Sequence, residues 1–149
     1  YTIRKAARGV IMDSEGNVAL LHVTKDGYYK LPGGGLEGDE DSLVAFAREC
    51  KEEIGCDIEV AQELGQIVEY RKMYLLKQTS YCYVGKVVGE KKAPSFTESE
   101  LAGGFAVEWL PIDSAIEKVR NGKTSNPEGT LFIIPRDVAI LEAANIASS

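Results

Sequence analysis

The residues best suited to chemistry in this 149-residue chain are three closely spaced glutamates. Glu49, Glu52 and Glu53 are spaced i, i+3 and i+4, so in a helix they would span an arc of about 100° on one face. Like charges at these spacings destabilise a helix by about 0.2–0.5 kcal/mol per pair. A hard divalent cation such as Mg²⁺ or Mn²⁺ prefers oxygen ligands and would turn that repulsion into coordination. The alternative is a solvated acidic face balanced by Arg48 and Lys51.

Charge is distributed unevenly along the chain, although the net charge is only −6. Residues 32–69 carry two basic and eleven acidic side chains, whereas residues 70–93 carry six basic and one acidic. The acidic segment could be balanced either by the basic segment or by bound cations. An acidic chain does not favour non-specific binding to nucleic acid, so no nucleic-acid polymer is expected as a partner. With one histidine and no C-x-x-C pair, the usual zinc sites are excluded.

The pattern of apolar residues and turn signals predicts an α/β domain with a mixed sheet. Strands are predicted over residues 10–12, 18–23, 28–31, 58–70, 74–88 and 105–110, and helices over 39–54, 112–120 and 136–147. Residues 33–38 and 91–104 are predicted to be loops. In the first helix, the predicted buried face is made by Leu43, Phe46, Ala47, Cys50 and Ile54.

The glycine loop before this helix satisfies the pattern G-x-G-x-x-G over residues 33–38. A dinucleotide-binding fold would use such a loop to seat a pyrophosphate at the helix N-terminus. Here Asp39, Glu40 and Asp41 occupy that position, and two anions do not share such a site without a cation between them. The sequence therefore argues against a dinucleotide-binding loop.

The glycines and the glutamates together form a longer motif. Gly34 is followed after five residues by Glu40, and after seven more by the run over residues 48–56. This resembles the Nudix box, G-x5-E-x7-R-E-U-x-E-E-x-G-U with U apolar, at all seven fixed positions. At average residue usage, a chance match at one start is on the order of 10⁻⁸. Cys50 and Cys56 stand at the U positions in place of the commoner Leu, Ile or Val, which concerns packing rather than ligands.

The resemblance implies the Nudix fold, in which a mixed sheet lies between helices, and a metal-dependent hydrolase. Nudix proteins hydrolyse a nucleoside diphosphate linked to a group X at its pyrophosphate, using Mg²⁺ or Mn²⁺. The resemblance maps the metal ligands onto Glu49, Glu52 and Glu53, with the backbone carbonyl of Gly33 or Gly34 as an additional ligand. Arg48 would orient Glu49 or Glu52 through a charge-assisted hydrogen bond.

The general base and the substrate are left open by the motif. Glu49 is the first candidate for the base, and Glu98 and Glu100 in the 91–104 loop are the alternatives. The group X could make the substrate a nucleoside triphosphate, a dinucleoside polyphosphate or a nucleotide sugar. The proline that tends to mark ADP-ribose hydrolases is replaced here by Lys72, whereas Tyr74 stands where diadenosine polyphosphate hydrolases tend to have a tyrosine.

Further substrate contacts are predicted from residue type alone. Tyr28 and Tyr74 could stack on a base, and Arg71 and Lys72 could meet phosphates. For each of these four, a structural or surface role is the competing interpretation. A second class of function stays open as well: a Nudix-fold module that binds a nucleotide as a sensor or regulator without cleaving it. The complete set of box carboxylates, together with Arg48, favours the enzyme.

Length and composition describe an ordinary globular chain. Residues 1–149 are expected to form a single domain. No apolar run is long enough to cross a membrane, so no membrane partner is expected. The three cysteines, Cys50, Cys56 and Cys82, are too few for a disulfide framework and predict reduced thiols and a cytoplasmic protein. Homo-oligomers are common among soluble proteins, which leaves a homodimer open.

Overall fold

The computed structural model describes residues 1–148, which form seven strands and four α-helices. In chain order they are β1 (Thr2–Met12), β2 (Asn17–Val23), β3 (Tyr28–Lys30), β4 (Gly33–Gly35), α1 (Ser42–Ile54), β5 (Asp57–Arg71), β6 (Leu76–Val88), α2 (Glu98–Ala102), β7 (Phe105–Pro111), α3 (Ile112–Arg120) and α4 (Ile134–Ser148). A 3₁₀ turn over Lys72–Tyr74 joins β5 to β6, and a π-helical turn over Gly129–Ile133 leads into α4. No helix within residues 1–148 is long and apolar enough to cross a membrane.

The strands form one mixed sheet in the order β3-β2-β1-β6-β5, with β4 paired to β1 and β7 paired to β2. The β1–β6 pair is parallel from Thr2 opposite Leu76 to Met12 opposite Lys86, and the remaining pairs are antiparallel. β1 and β2 share the single pair Met12–Val18 and then diverge. β4 fills the gap along β1, and β7 continues along β2.

Alternating strand residues bury the two faces of the sheet under different helices. On β1 and β2, Val10 and Leu20 belong to the core beneath α3 and α4, whereas Ile11 and Leu21 belong to the core beneath α1. The α/β architecture with helices on both faces of a mixed sheet, predicted from the sequence, is confirmed.

Helix α1 begins later than the sequence pattern predicts. Asp41 has an extended backbone and caps the helix by accepting a hydrogen bond from Val44 N at 2.9 Å, so residues 39 and 40 lie outside it. Gly55 ends the helix with a φ of 77°, a conformation that favours glycine. The predicted buried face is also partly wrong, because Leu43 and Ala47 are exposed, while Ala45 and Glu53 are buried.

Three other boundaries differ from the prediction. Gly33–Gly35 is a strand rather than a loop, because β1 extends back to Thr2 and offers it a free edge. The predicted loop 91–104 contains α2, which is stabilised by a capping box between Thr97 and Glu100. Tyr74, predicted to begin a strand, lies in the 3₁₀ turn.

We expect Phe46→Ala to lower the free energy of unfolding by about 3–5 kcal/mol, since Phe46 is fully buried and packs on Tyr83 with ring centres 5.5 Å apart. Urea unfolding measures the change. Val44→Ala on the exposed side of the same helix is the matched control and should change stability by less than about 1 kcal/mol. Equal losses in the two variants would contradict the assignment of the α1 core.

Candidate active site

The predicted site lies where α1 packs against β4 and against the residues that precede β4. Gly33 N donates to Glu53 Oε1 at 2.8 Å, and a Cβ on Gly34 would lie 2.6 Å from Glu49 Oε1. The absence of a side chain at Gly34 therefore makes room for the Glu49 carboxylate. We call residues 31–33, which lead from β3 into β4, the strap.

The strap also approaches β1 too closely for a side chain. Gly33 stands opposite Arg8 in the β1–β4 register and has a φ of 148°. A Cβ on Gly33 would lie 2.3 Å from the Cβ of Arg8 and 2.5 Å from the carbonyl oxygen of Ala7. Glycine at this position lets the strap lie between β1 and the carboxylates of α1.

Arg48 gathers the acidic side chains around the outer edge of the site. Its guanidinium holds Glu40 through two hydrogen bonds, from Nε at 2.7 Å and from Nη2 at 2.9 Å. Nη1 donates to Glu49 at 3.0 Å and to Glu52 at 3.4 Å, and Nη2 also donates to the carbonyl oxygen of Gly35 at 3.2 Å. The hydrogen bond to Arg48 lowers the pKa of Glu40 to about 2. Arg48 therefore fixes the carboxylates relative to one another and to β4.

The carboxylates of Glu49 and Glu53 lie close together and have few positive charges near them. Glu53 is only 3 % exposed. Burial, and then a hydrogen bond shared with the Glu100 side chain, raises the pKa of Glu53 to about 9. Burial also raises the pKa of Glu49, despite its hydrogen bond with Arg48. This is the electrostatic signature of a group of carboxylates that a cation would stabilise.

Glu100 reaches the site from α2. The Thr97 backbone N–H donates to Glu100 Oε1 at 2.9 Å, while the Glu100 backbone N–H donates to Thr97 Oγ1 at 3.2 Å. This capping box orients the Glu100 side chain, which meets Glu53. Glu98, the other loop glutamate considered from the sequence, is exposed and has no contact with the α1 carboxylates within residues 1–148.

The donor set fits a hard divalent cation by its chemistry. Glu49, Glu52, Glu53 and Glu100 offer carboxylate oxygens and no nitrogen or sulfur. The basic segment 70–93 does not neutralise them, because within residues 1–148 every ion pair to Glu49 or Glu52 comes from Arg48. The carboxylates do not yet have the geometry of a metal site. Among the described residues, no group of three or more Asp, Glu, His or Cys side chains is placed so that it could hold a metal ion.

The four substrate contacts predicted from residue type lie apart from these carboxylates. Tyr28 is buried in the interior, and Arg71 is buried and ion-paired with Glu69 at 2.7 Å and with Glu128 at 3.3 Å. Lys72 and Tyr74 are exposed in the turn between β5 and β6. Within residues 1–148, no hydrogen bond or ion pair joins any of the four to the glutamates of α1.

The sequence analysis missed a network of buried charged and polar side chains on the α4 side of the sheet. It consists of Arg8, Glu69, Arg71, Gln78, Ser80, Arg136 and Asp137, which are all less than 9 % exposed. Asp137 accepts from Leu31 N at 2.9 Å and so holds the strap from the side opposite to Glu53. Burial, and then the nearby charge of Arg136, lowers the pKa of Arg8 to about 10. The available signal was the charged residue Arg8 within residues 6–12, which are otherwise alanine, glycine and apolar residues.

Comparison with known proteins agrees with this geometry. Residues 2–128 match the family model described as NUDIX domain. The chain belongs to this family. A MutT-like protein of Streptomyces ambofaciens is 30 % identical over 111 residues, which cover 74 % of this chain. The chain spans 66 % of the length of that relative. The Nudix hydrolase predicted from the box is thus confirmed at the level of the family.

Solved Nudix structures share the fold at low sequence identity. A NUDIX hydrolase from Nitrosomonas europaea superposes with a TM-score of 0.70 at 16 % identity, covering 98 % of this chain and 90 % of that one. The C. elegans Ap4A hydrolase superposes with a TM-score of 0.67 at 14 % identity, covering 99 % and 100 % of the two chains. At such identities the likeness concerns the fold.

We expect Gly34→Ala to weaken Mn²⁺ binding about tenfold, because its Cβ would displace the Glu49 carboxylate. Stability should change by less than about 1 kcal/mol, since the atom that must move ends a flexible side chain. Calorimetric titration with Mn²⁺ and thermal unfolding measure the two effects. Gly35→Ala is the matched control, since its Cβ would approach Arg4 instead, and equal metal affinities in both variants would refute the role of Gly34.

The pairing of Glu40 with Arg48 predicts a pH dependence of stability. The folded-state pKa of about 2 lies below the ordinary value of 4.5. The pair therefore stabilises the protein above about pH 4.5, and this contribution is lost as the pH falls towards 2. Glu40→Gln should lower stability at pH 7 and flatten the acid limb in urea unfolding at pH 7, 4.5 and 3. The exposed control Glu63→Gln should retain the wild-type limb.

Proposed function

We propose that the protein is a divalent-metal-dependent hydrolase of the pyrophosphate bond in a nucleoside diphosphate linked to a group X. The observation that carries the proposal is the gathering of Glu49, Glu53 and Glu100 where the strap meets α1, with Arg48 orienting Glu49 from outside. These carboxylates have too little positive charge around them to share a confined space as anions. Family membership supports the same chemistry.

Mg²⁺ or Mn²⁺ is the metal we propose, held by Glu49, Glu52 and Glu53 with the carbonyl of Gly33 or Gly34. When bound, such a metal supplies charge neutralisation, orientation of the phosphate and an activated water. Glu53 can retain its hydrogen bond from Gly33 N through Oε1 and still offer Oε2. Arg48 keeps Glu49 and Glu52 at a fixed spacing.

Glu49 is the general base that we propose, with Glu100 as the second candidate. Both interact with Glu53, so both lie beside the place proposed for the metal and the attacking water. Glu98 has no comparable position, because it is exposed on the first turn of α2. The proton of the attacking water would pass to the Glu49 carboxylate as the new P–O bond forms and the bridging P–O bond breaks, and the bridging oxygen would leave with the other phosphoryl group.

The substrate proposal remains at the level of a class. A dinucleoside polyphosphate is supported by Tyr74 at its position after the box. Nucleoside triphosphates and nucleotide sugars stay in the same class. Tyr74 and Lys72 are exposed at the end of the β5–β6 hairpin, where they could reach a large substrate.

The cellular setting belongs to the proposal as well. Cys50, Cys56 and Cys82 are free and buried, which supports a reducing compartment such as the cytoplasm. A single domain over residues 1–149 is supported by the family match to residues 2–128. Light scattering on the purified protein decides between a monomer and a homodimer.

We expect metal-dependent release of phosphate or pyrophosphate from at least one member of a substrate panel. The panel comprises nucleoside triphosphates, oxidised dGTP, ADP-ribose, nucleotide sugars and diadenosine polyphosphates, each with Mg²⁺, Mn²⁺ or chelator. Glu53→Gln should lower kcat about a hundredfold or more, since it removes one anionic ligand. The amide oxygen can still accept from Gly33 N, so the melting temperature should change little. Glu63→Gln, an exposed glutamate on β5, should have wild-type kcat.

The same assay separates the hydrolase from the sensor. Hydrolysis that persists in chelator, or that survives Glu53→Gln, would contradict the proposed metal chemistry. No release from any member of the panel, together with nucleotide binding detected by a thermal shift, would favour a Nudix-fold sensor over an enzyme.

A further inference from the structure

Asp137 is a fully buried carboxylate on the first turn of α4, on the face of the sheet opposite to α1. Its Oδ2 accepts a hydrogen bond from Leu31 N at 2.9 Å, and its Oδ1 accepts one from Arg136 Nε at 2.8 Å. Burying a carboxylate is costly unless it is paired and hydrogen-bonded. Both oxygens of Asp137 are therefore committed to fixed partners, and one of these partners is the backbone of the strap.

The buried network holds Asp137 in place from behind. Arg136, which donates to Asp137, also donates from Nη1 to Glu69 Oε1 on β5 at 3.2 Å. Glu69 accepts in addition from Arg71 Nη2 at 2.7 Å. The first turn of α4 is thereby tied to the edge strand β5, so the acceptor offered to Leu31 N has a defined position.

The strap connects this acceptor to the metal-binding carboxylates over a very short stretch of chain. Leu31 N donates to Asp137, and Gly33 N, two residues later, donates to Glu53 Oε1 at 2.8 Å. Leu31 and Pro32 lie between β3 and β4 and belong to neither strand. Pro32 has a fixed φ and restricts Leu31 to an extended backbone. A displacement of Leu31 is therefore passed on towards Gly33.

The other restraint on the middle of the strap is weak. Gly9 N donates to Pro32 O at 3.3 Å, which is longer than the usual range of about 2.7–3.2 Å. Pairing of β4 with β1 begins only at Gly33, opposite Arg8. The bond from Leu31 to Asp137 is thus the short, buried hydrogen bond that fixes how the strap enters the site.

We propose that Asp137 is a positioning residue for the metal site and acts on it through the strap, which rests on the proposed function above. By holding Leu31, Asp137 places the Gly33 carbonyl, a proposed metal ligand, and the Gly33 N–H that orients Glu53. Hydrogen bonds that orient metal ligands typically change metal affinity by about 10–100-fold when they are lost. A residue of α4 thus sets the geometry of a site that α1 builds on the other face of the sheet.

The first test needs neither metal nor substrate. Amide hydrogen exchange, followed by NMR in EDTA, reports the hydrogen bond from Gly33 N to Glu53. Asp137→Ala should speed exchange of the Gly33 amide about tenfold or more, because the strap loses its attachment at Leu31. Ala144→Gly is the matched control: it weakens α4 at a fully buried position two turns beyond Asp137 and should leave this amide unchanged.

The second test is a calorimetric titration with Mn²⁺, at a temperature at which every variant is folded. Asp137→Ala should bind Mn²⁺ about tenfold more weakly than the wild type, whereas Ala144→Gly should bind as the wild type does. Asp137→Asn offers one acceptor oxygen to two donors, Leu31 N and Arg136 Nε, and should lie between the wild type and Asp137→Ala. If Asp137→Ala fails to fold, Asp137→Asn decides.

The outcomes separate this inference from the proposed function. Faster Gly33 exchange with unchanged Mn²⁺ affinity in Asp137→Ala would make Asp137 a structural anchor only and overturn the inference, as would equal losses in Ala144→Gly. Metal-dependent hydrolysis by the wild type would leave the function standing in either case. Mn²⁺ binding that depends on Asp137, without hydrolysis of any substrate in the panel, would support the positioning role and contradict the function. Absence of Mn²⁺ binding to the wild type would overturn both.

Discussion

The geometry of the site depends on how the strap is held between two buried carboxylates. Leu31 N donates to Asp137 of α4, and Gly33 N donates to Glu53 of α1, at 2.9 and 2.8 Å. Pro32 between them has no N–H, so these two bonds are the ones that the strap can donate. Losing Asp137 would leave the buried Leu31 N–H unsatisfied, which costs about 1–3 kcal/mol. The path of the strap in turn places Gly34 against Glu49.

This arrangement couples the two faces of the sheet. On one face, Asp137 is fixed by Arg136, which also holds Glu69 on β5, so the strap is tied to a network of buried ion pairs. On the other face, Glu53 is fixed by the rigid packing of α1. Buried ion pairs are weak evidence for stability, because desolvation offsets much of their attraction. Their evident contribution here is position: they set where the strap lies relative to the carboxylates of α1.

The sequence predicted the parts of this arrangement that depend on local spacing. The box placed Glu49, Glu52 and Glu53 on one helix face, and Arg48 does contact two of them. Local spacing does not reveal pairs that form across the fold, such as Leu31 with Asp137, 106 positions apart, or Glu69 with Arg136, 67 apart.

Errors in the predicted elements have the same origin. Three consecutive glycines resemble a loop until the extended β1 offers them an edge to pair with. An amphipathic pattern predicted that Leu43 and Ala47 are buried, but the side of α1 that packs is set by the sheet and by the bond between Glu53 and Gly33, and it leaves both exposed.

The small number of basic side chains paired with the α1 carboxylates limits how an anionic ligand could bind beside them. Arg48 is the basic residue paired with Glu49 and Glu52 among residues 1–148, and its Nε and both terminal nitrogens are used by carboxylates and by a carbonyl. It can therefore order the carboxylates but has little capacity left for an anionic ligand. The carboxylates themselves repel phosphate. Binding of a diphosphate at this place would therefore require a cation among the glutamates.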